Sequence, residues 1–325
     1  MEEQLFQPTT ELDHLHEGVS QIKAEIGKII VGQQRMVELM TAALVANGHI
    51  LIEGVPGVAK TMAAKLLART LDVGFSRIQF TPDLMPSDVL GTSIFNVKTA
   101  DFAFHPGPVF SQIVLIDEIN RAPAKTQAAL FEVMEERQVT IDGITRPMTP
   151  PFMVIATQNP IEQEGTYRLP EAQLDRFLFK IGVGYPSLEE EMRILSDLQA
   201  RKGINDPASI QPVLTAAQVQ ILQEIARNIF IEQNLIAYIV RIVNQTRNNK
   251  DLYLGASPRA SINLMTASKA LAAMRGRTFV TPEDIQYLAG PVLQHRIILT
   301  PEREMEGGTP EEVVRRIIDQ VEVPR

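Results

Sequence analysis

The chain has 325 residues, 45% of them apolar and 22% charged, which is an ordinary globular composition with room for one large and one smaller domain. Its net charge of −8 argues against a surface built to neutralise nucleic-acid phosphates, and the absence of cysteine excludes disulfide and thiol chemistry. The acidic first residues and the short apolar runs lead us to expect no signal peptide, no direct membrane insertion and a cytoplasmic location.

At the N-terminus we expect residues 1–10 to form a loose tail and a helix to follow. Six apolar residues recur at three- and four-residue spacing and would share one face of that helix: Leu12, Leu15, Val19, Ile22, Ile26 and Ile29. The simplest interpretation is a helix that packs on its own domain.

Short apolar segments alternate with helical segments over the next part of the chain. The predicted strands cover 49–53, 77–80, 113–116, 153–157 and 177–181, and the main predicted helices cover 60–71 and 123–137. This alternation predicts an α/β fold, a parallel sheet with helices on both faces. Two further segments, 91–110 and 139–150, contain short strands around polar turns and predict β-hairpins.

A glycine-containing loop follows the first predicted strand and opens a helix. It reads Gly54-Val55-Pro56-Gly57-Val58-Ala59-Lys60-Thr61, and Met62 completes the candidate nucleotide-binding set. Such a P-loop turns backbone N–H groups toward phosphate, for which Gly54 and Gly57 would supply unusual backbone angles. Lys60 could reach the β and γ oxygens, and Thr61 could offer its hydroxyl to Mg²⁺. Ala59 stands where glycine is usual, which is tolerable if its backbone is already helical. A chance glycine-rich turn is the alternative.

Polar residues at the ends of two later strands make the chance turn untenable. Asp117 and Glu118 follow a buried strand, where α/β sheets place their ligands, although such a pair is more often a solvated loop. Asp117 could hold Mg²⁺ through water opposite Thr61, and Glu118 could act as general base. Asn159, after the next strand, could orient water or could simply begin a turn before Pro160. Together these elements predict hydrolysis of ATP or GTP.

After residue 185 the pattern is almost entirely helical. Helix starts are marked by capping residues, by proline in the first turn, or by both, at Thr215, Ser257, Thr281 and Thr309, and a further helix is expected over 232–249. We therefore expect two domains, an α/β domain over 1–185 that includes the N-terminal helix and a smaller all-α domain over 186–325.

The motifs occur in the order found in AAA+ ATPases, which this chain resembles over about residues 28–300. The matching segments are 54–61, 113–118, Asn159, 174–177 and 257–259. The run Asp117-Glu118-Ile119-Asn120-Arg121-Ala122-Pro123 and the segment 80–88 resemble the MoxR family in particular. Ala59 is no departure there, because P-loops of that family often have alanine before the lysine.

The resemblance implies an AAA+ core followed by a helical lid, assembled as a hexameric ring or spiral with ATP between subunits. It makes Asn159 the sensor-1 residue, Arg176 the arginine finger and Arg259 the sensor-2 arginine of the lid. The segment Ile30-Val31-Gly32 would lie against adenine. The two hairpins would be the helix-2 insert and the pre-sensor-1 hairpin.

The residues alone leave the arginines less certain than the P-loop. Arg176 could pair with Asp175 or Glu171 on a solvated surface. Arg259 lies in the first turn of a helix, where the helix dipole disfavours a cation, so a phosphate partner is attractive. Whether that phosphate belongs to the same subunit or to a neighbour is left open by the sequence. Arg168 is an alternative arginine finger, and Arg121 could also face a subunit interface.

By its resemblance the chain is expected to be a chaperone-like remodeller of partner proteins, often ones with von Willebrand factor A (VWA) domains. A nucleic-acid motor is one alternative, although the net charge and the absence of tryptophan disfavour it, and Lys98 is the only lysine or arginine of 91–105. A slow switch, in which ATP controls assembly, is the other. We expect ATP and Mg²⁺ as ligands, a homo-oligomer, a client protein and no nucleic acid.

Overall fold

A computed structural model describes residues 8–98, 100–159, 169–201 and 207–324. The strands are β1 (Ile50–Gly54), β2 (Phe75–Gln79), β3 (Gly91–Asn96), β4 (Asp101–Pro106), β5 (Ile113–Asp117), β6 (Gln138–Ile141), β7 (Ile144–Pro147), β8 (Met153–Gln158), β9 (Phe179–Val183), β10 (Leu252–Leu254) and β11 (Ile298–Leu299). The helices are α1 (Pro8–Gly27), α2 (Gln34–Val45), α3 (Lys60–Thr70), α4 (Pro86–Leu90), α5 (Ala124–Glu136), α6 (Glu171–Leu174), α7 (Leu188–Ala200), α8 (Ala216–Asn228), α9 (Gln233–Arg247), α10 (Pro258–Met274), α11 (Pro282–Leu293), α12 (Pro301–Met305) and α13 (Pro310–Gln320).

A five-stranded parallel sheet in the order β2-β5-β8-β1-β9 forms the centre of the α/β part, so all five predicted strands are confirmed. Successive side chains of a strand point to opposite faces, and β1 shows this directly. Ile50 and Ile52 join one buried apolar cluster, while Leu51 joins the other. Both faces are therefore covered. The carboxyl ends of β1, β8 and β5 lie side by side, which brings the P-loop next to Asp117 and Asn159.

The two predicted hairpins are present as β3–β4 and β6–β7. Asp142 and Gly143 form the second turn with φ of 54° and 73°, values typical of a two-residue hairpin loop. The hairpins contact each other, because the Arg146 guanidinium lies 4.0 Å from the Phe104 ring centroid. The two hairpins therefore pack together.

Helix α1 begins at Pro8, earlier than the predicted end of the N-terminal tail, and residues 1–7 lie outside the described part of the chain. The predicted apolar stripe is buried from Leu12 to Ile26, whereas Ile29 is half-buried and lies beyond the end of α1 at Gly27, so its assignment to the helix face is wrong. The helix packs on α2 and α3 but also on α10, where His16 Nδ1 lies 2.8 Å from the Met274 carbonyl oxygen. The expectation of packing within one domain is thus incomplete.

The change from sheet to helices falls between Val183 and Leu188. Thr215 and Thr309 cap their helices as predicted, each accepting a bond from a backbone N–H at 3.3 Å. The predicted helical part is confirmed with one addition, an antiparallel ribbon of β10 and β11. No helix in the described residues is long and apolar enough to cross a membrane.

Candidate active site

The P-loop joins β1 to α3, and its two glycines are needed for different reasons. Gly57 has φ +87°, a backbone angle that favours glycine. Gly54 instead lies in β1, where an added Cβ would stand 2.5 Å from the Val183 carbonyl oxygen of β9. The prediction of unusual backbone angles is therefore right for Gly57 and wrong for Gly54, which is required by the close approach of two strands.

We expect Gly54→Ala to lower the free energy of unfolding by about 1–3 kcal/mol, because a backbone oxygen cannot move aside as a flexible side chain can. Urea unfolding followed by circular dichroism measures this change. Gly182→Ala is the matched control, since an added Cβ at that β9 position meets no atom within 4 Å. Equal losses in the two variants would refute the steric account of Gly54.

Ala59, the residue before Lys60, has φ 58° and ψ 21°. This is the left-handed helical region, so the condition that its backbone be ordinarily helical is not met. The left-handed turn lets α3 begin at Lys60. Alanine bears a steric cost there that glycine would not, of roughly 1–2 kcal/mol. Ala59 also has no polar side chain to cap α3, which leaves the helix start suited to an anion.

A cleft of about 680 Å³ collects the predicted chemical groups. Its walls include Lys60, Thr61, Asp117, Glu118 and Asn159, with 56–59 and Met62 of the P-loop region. The Lys60 ammonium donates to the Gly54 carbonyl across the loop. The remaining P-loop residue, Val55, packs against the hydrophobic core. Five side chains from three strand ends thus share one cavity.

Asp117 is buried and held from two sides. The Thr157 hydroxyl donates to Oδ1 at 3.0 Å, and Arg77 Nε donates to Oδ2 at 2.6 Å. Among the described residues, no group of three or more His, Cys, Asp or Glu side chains could hold a metal ion. The donors present are a hydroxyl, Thr61, and a carboxylate, Asp117. Such a set suits Mg²⁺, which takes one or two protein oxygens and completes its shell with phosphates and water.

Glu118 has a left-handed backbone, with φ 57° and ψ 53°, directly after β5. Gln79 Nε2 donates to its Oε2 at 2.8 Å, and Arg121 Nε lies 3.0 Å from the same oxygen. Arg121 thus pairs with the candidate general base of its own subunit, and its facing a subunit interface stays a prediction. These two side chains fix the carboxylate that would polarise water.

Sequence reasoning missed Gln79 and Arg77. Both lie on β2, whose pairing with β5 places Gln79 beside Asp117. The available signal was a polar residue at the carboxyl end of a predicted strand. Using it required the strand order, which sequence motifs alone do not supply.

The predicted adenine segment lines a second cavity, of about 760 Å³. Ile30, Val31 and Gly32 form part of its wall, with Tyr287 of α11. Gln33 Nε2 donates to the Gly184 carbonyl at 3.1 Å, which ties the segment to the end of β9, the neighbour of β1. Base binding by this segment remains a prediction.

Arg176 and Arg259 meet at one carboxylate, Glu135, at the end of α5. Arg176 Nη1 lies 3.8 Å from it and donates to the Phe131 carbonyl at 2.6 Å, and Arg259 forms a close ion pair with it. The alternative partners Asp175 and Glu171 are therefore wrong for Arg176. Within the described residues, the wall of the P-loop cleft includes neither arginine. Arg168 lies outside the described residues.

The fold and the cleft together define the class of protein. A parallel sheet of this order, a P-loop after β1, a carboxylate pair after β5 and a polar residue after β8 are the core of an AAA+ ATPase. The family described as "ATPase family associated with various cellular activities (AAA)" matches residues 49–179, and "AAA lid domain" matches 244–317.

Individual relatives identify the family within this class of ATPases. Chaperone MoxR1 of Mycobacterium tuberculosis is 48% identical, over 93% of this chain and 81% of its own length. The Bacillus subtilis protein YeaC, described as uncharacterized, is also 48% identical, over 96% and 97%. A crystal structure from Cytophaga hutchinsonii, assigned as an ATPase, superposes with a TM-score of 0.90 at 41% identity, covering 97% of this chain and 98% of that one. The chain belongs to the MoxR family of AAA+ ATPases.

Proposed function

We propose that this ATPase hydrolyses ATP with Mg²⁺ at the interface between subunits of a ring or spiral, in the simplest case a hexamer. The observation that carries the proposal is the separation of two groups of residues. The phosphate-binding and water-activating side chains share the P-loop cleft, while Arg176 and Arg259 lie together at Glu135. Two arginines outside their own cleft can serve the cleft of a neighbour.

Each cleft residue has a role that its chemistry supports. Lys60 binds the β and γ oxygens, and Thr61 and Asp117 hold Mg²⁺, which would neutralise charge on the phosphates. Glu118 takes a proton from the attacking water, and Asn159 orients that water. Ile30, Val31 and Gly32 contact the base. Arg176 and Arg259 of the next subunit stabilise the charge that develops on the transferred phosphoryl group.

An interface site makes activity depend on assembly. We expect the ATPase rate per subunit to rise with protein concentration over the range in which light scattering shows oligomers forming. Constant activity per subunit, across a range in which the mass changes from monomer to oligomer, would contradict the trans site. A subunit that keeps full activity as a monomer would do the same.

We propose further that the chain is a chaperone-like remodeller whose clients include VWA-domain proteins. The relative named Chaperone MoxR1 supports the first part. In this proposal residues 1–185 form the nucleotide-binding domain and 186–325 the lid, and hydrolysis moves one against the other. Specificity is then supplied by the client.

The client proposal is tested by capture and stimulation. Glu118→Gln, held with ATP, should retain a VWA protein in a pull-down, while Lys60→Ala should not. Addition of that protein should raise the ATPase rate of the parent. Stimulation by DNA instead would favour a nucleic-acid motor, and no stimulation with slow turnover would favour the assembly switch.

A further inference from the structure

A buried arginine donates hydrogen bonds to the backbone on both sides of Arg176. Arg296, just after α11, has a side chain only 1% exposed. Its Nη2 donates to the carbonyl of Asp175 at 3.0 Å and to that of Phe177 at 2.5 Å. Its Nη1 donates to the Leu178 carbonyl at 3.3 Å. One guanidinium therefore fixes the backbone immediately before and after Arg176.

Asp175 links Arg296 to the helix that carries Arg259. Its Oδ1 accepts from Arg296 Nε at 2.7 Å, and its Oδ2 accepts from the Ser257 hydroxyl at 3.0 Å. Ser257 is the N-cap of α10, but its hydroxyl is used for this contact and makes no capping bond. Arg259 follows two residues later. A single carboxylate thus joins the segment of Arg176 to the start of the Arg259 helix.

The arrangement brings together positive charges that would otherwise repel one another. Arg176, Arg259 and Arg296 surround two carboxylates, Glu135 and Asp175. Burial lowers the pKa of the Arg296 guanidinium to about 10, the Asp175 carboxylate opposes this shift, and the charge of Arg259 adds to it. Arg296 therefore stays protonated at neutral pH. Burying a cation is costly unless its donors are satisfied. Three of the six hydrogen bonds of Arg296 go to the backbone around Arg176 and one to the Asp175 carboxylate, while Nη1 also contacts the Val292 carbonyl and the His295 ring.

We infer that Asp175 and Arg296 are positioning residues that hold Arg176 and Arg259 as one unit, so that both reach the neighbouring nucleotide together. The inference rests on the proposed trans site. Asp175, Arg296 and Ser257 form the clamp, and Arg176 and Arg259 are the groups it places. A shift of about 1 Å in such groups can lower a rate about 100-fold, so the clamp acts on turnover more than on nucleotide affinity.

A subunit-mixing assay separates positioning from folding. Glu118→Gln subunits supply intact arginines but do not turn over, and Arg176→Ala subunits supply an intact cleft but no arginine finger. Mixed assemblies should recover ATPase activity at interfaces where an Arg176→Ala cleft meets the arginines of a Glu118→Gln subunit. Adding Asp175→Ala to the Glu118→Gln subunit should reduce this recovered rate about 10-fold or more. Adding it to the Arg176→Ala subunit should leave the rate nearly unchanged, because that subunit supplies only the cleft.

Two further variants test whether a loss of activity is specific to the clamp. Asp251→Ala removes a similar carboxylate, 21% exposed against 22% for Asp175 and paired with Arg316, and should have no effect in either subunit. If Asp175→Ala fails to fold because Arg296 loses its counter-ion, Ser257→Ala removes only the link to α10. It should lower the recovered rate in the same subunit-specific way, by about 3-fold or more.

The outcomes distinguish two failures. If the mixture of Glu118→Gln and Arg176→Ala subunits recovers no ATPase activity although mixed assemblies are present, both the trans site and the clamp are overturned. If that mixture recovers ATPase activity and adding Asp175→Ala to the Glu118→Gln subunit does not change the recovered rate, only the clamp is overturned. Equal losses with Asp175→Ala in either subunit would show a merely structural role and would also overturn the clamp.

Discussion

Glu118→Gln should bind ATP nearly as tightly as the parent but lose about 100- to 10,000-fold in turnover, since the amide keeps the shape of the side chain and cannot accept the proton. The contacts from Gln79 and Arg121 hold that side chain in the cleft. Lys60→Ala should instead lose ATP binding, because the cation at the β and γ oxygens is removed. Equilibrium binding of a fluorescent ATP analogue and a steady-state phosphate-release assay measure the two effects.

A surface carboxylate provides the comparison for Glu118. Glu224 lies on α8, is 59% exposed and pairs with Arg227, so Glu224→Gln should change neither binding nor turnover. Hydrolysis by Glu118→Gln at close to the parent rate would show that another group activates the water.

Arg176→Ala should lower kcat about 1,000-fold or more while the KM for ATP changes little, because an arginine finger acts mainly on transition-state charge. Folding should hardly change, since the pair with Glu135 is partly exposed and such pairs contribute about 0–1 kcal/mol. Arg176→Lys should recover little, because an ammonium cannot reproduce the planar fork of a guanidinium. Steady-state kinetics and thermal unfolding of the same preparations separate the two effects.

Arg227→Ala removes a similarly paired but more exposed arginine, 58% exposed, from the helical part and should keep the parent kcat. A raised KM at unchanged kcat in Arg176→Ala would mean that this arginine binds ground-state nucleotide and is no finger. A large loss of folding stability would mean that its bond to the Phe131 carbonyl is its main role.

The sheet and the cleft could be predicted because their signals are local. An apolar strand, a glycine loop and a helix start are contiguous in 49–61, and the strand before Asp117 is apolar throughout. Parallel strands all end at one edge, so Asn159 could be expected at the edge that holds the P-loop, but its place between the P-loop and Asp117 depends on β8 lying between β1 and β5. The backbone of Ala59 did not follow, because alanine carries no signal for a left-handed angle.

The partners of the arginines could not be predicted because they depend on packing between distant segments. Arg259 and Glu135 are 124 residues apart, and Arg296 and Asp175 are 121 apart. A nearby acidic residue in sequence, such as Glu171, is a reasonable first guess for Arg176, but α6 does not present it there. Only the docking of α10 and α11 onto the α/β part brings these charges together.

An electron cryo-microscopy structure of Glu118→Gln assembled with ATP and Mg²⁺ tests the central claim most directly. We predict that each nucleotide has Lys60, Thr61 and Asp117 of one subunit on one side and the guanidinium groups of Arg176 and Arg259 of the next subunit at the γ-phosphate. An assembly in which the γ-phosphate is contacted only by residues of its own subunit, with both arginines still at Glu135, would contradict it.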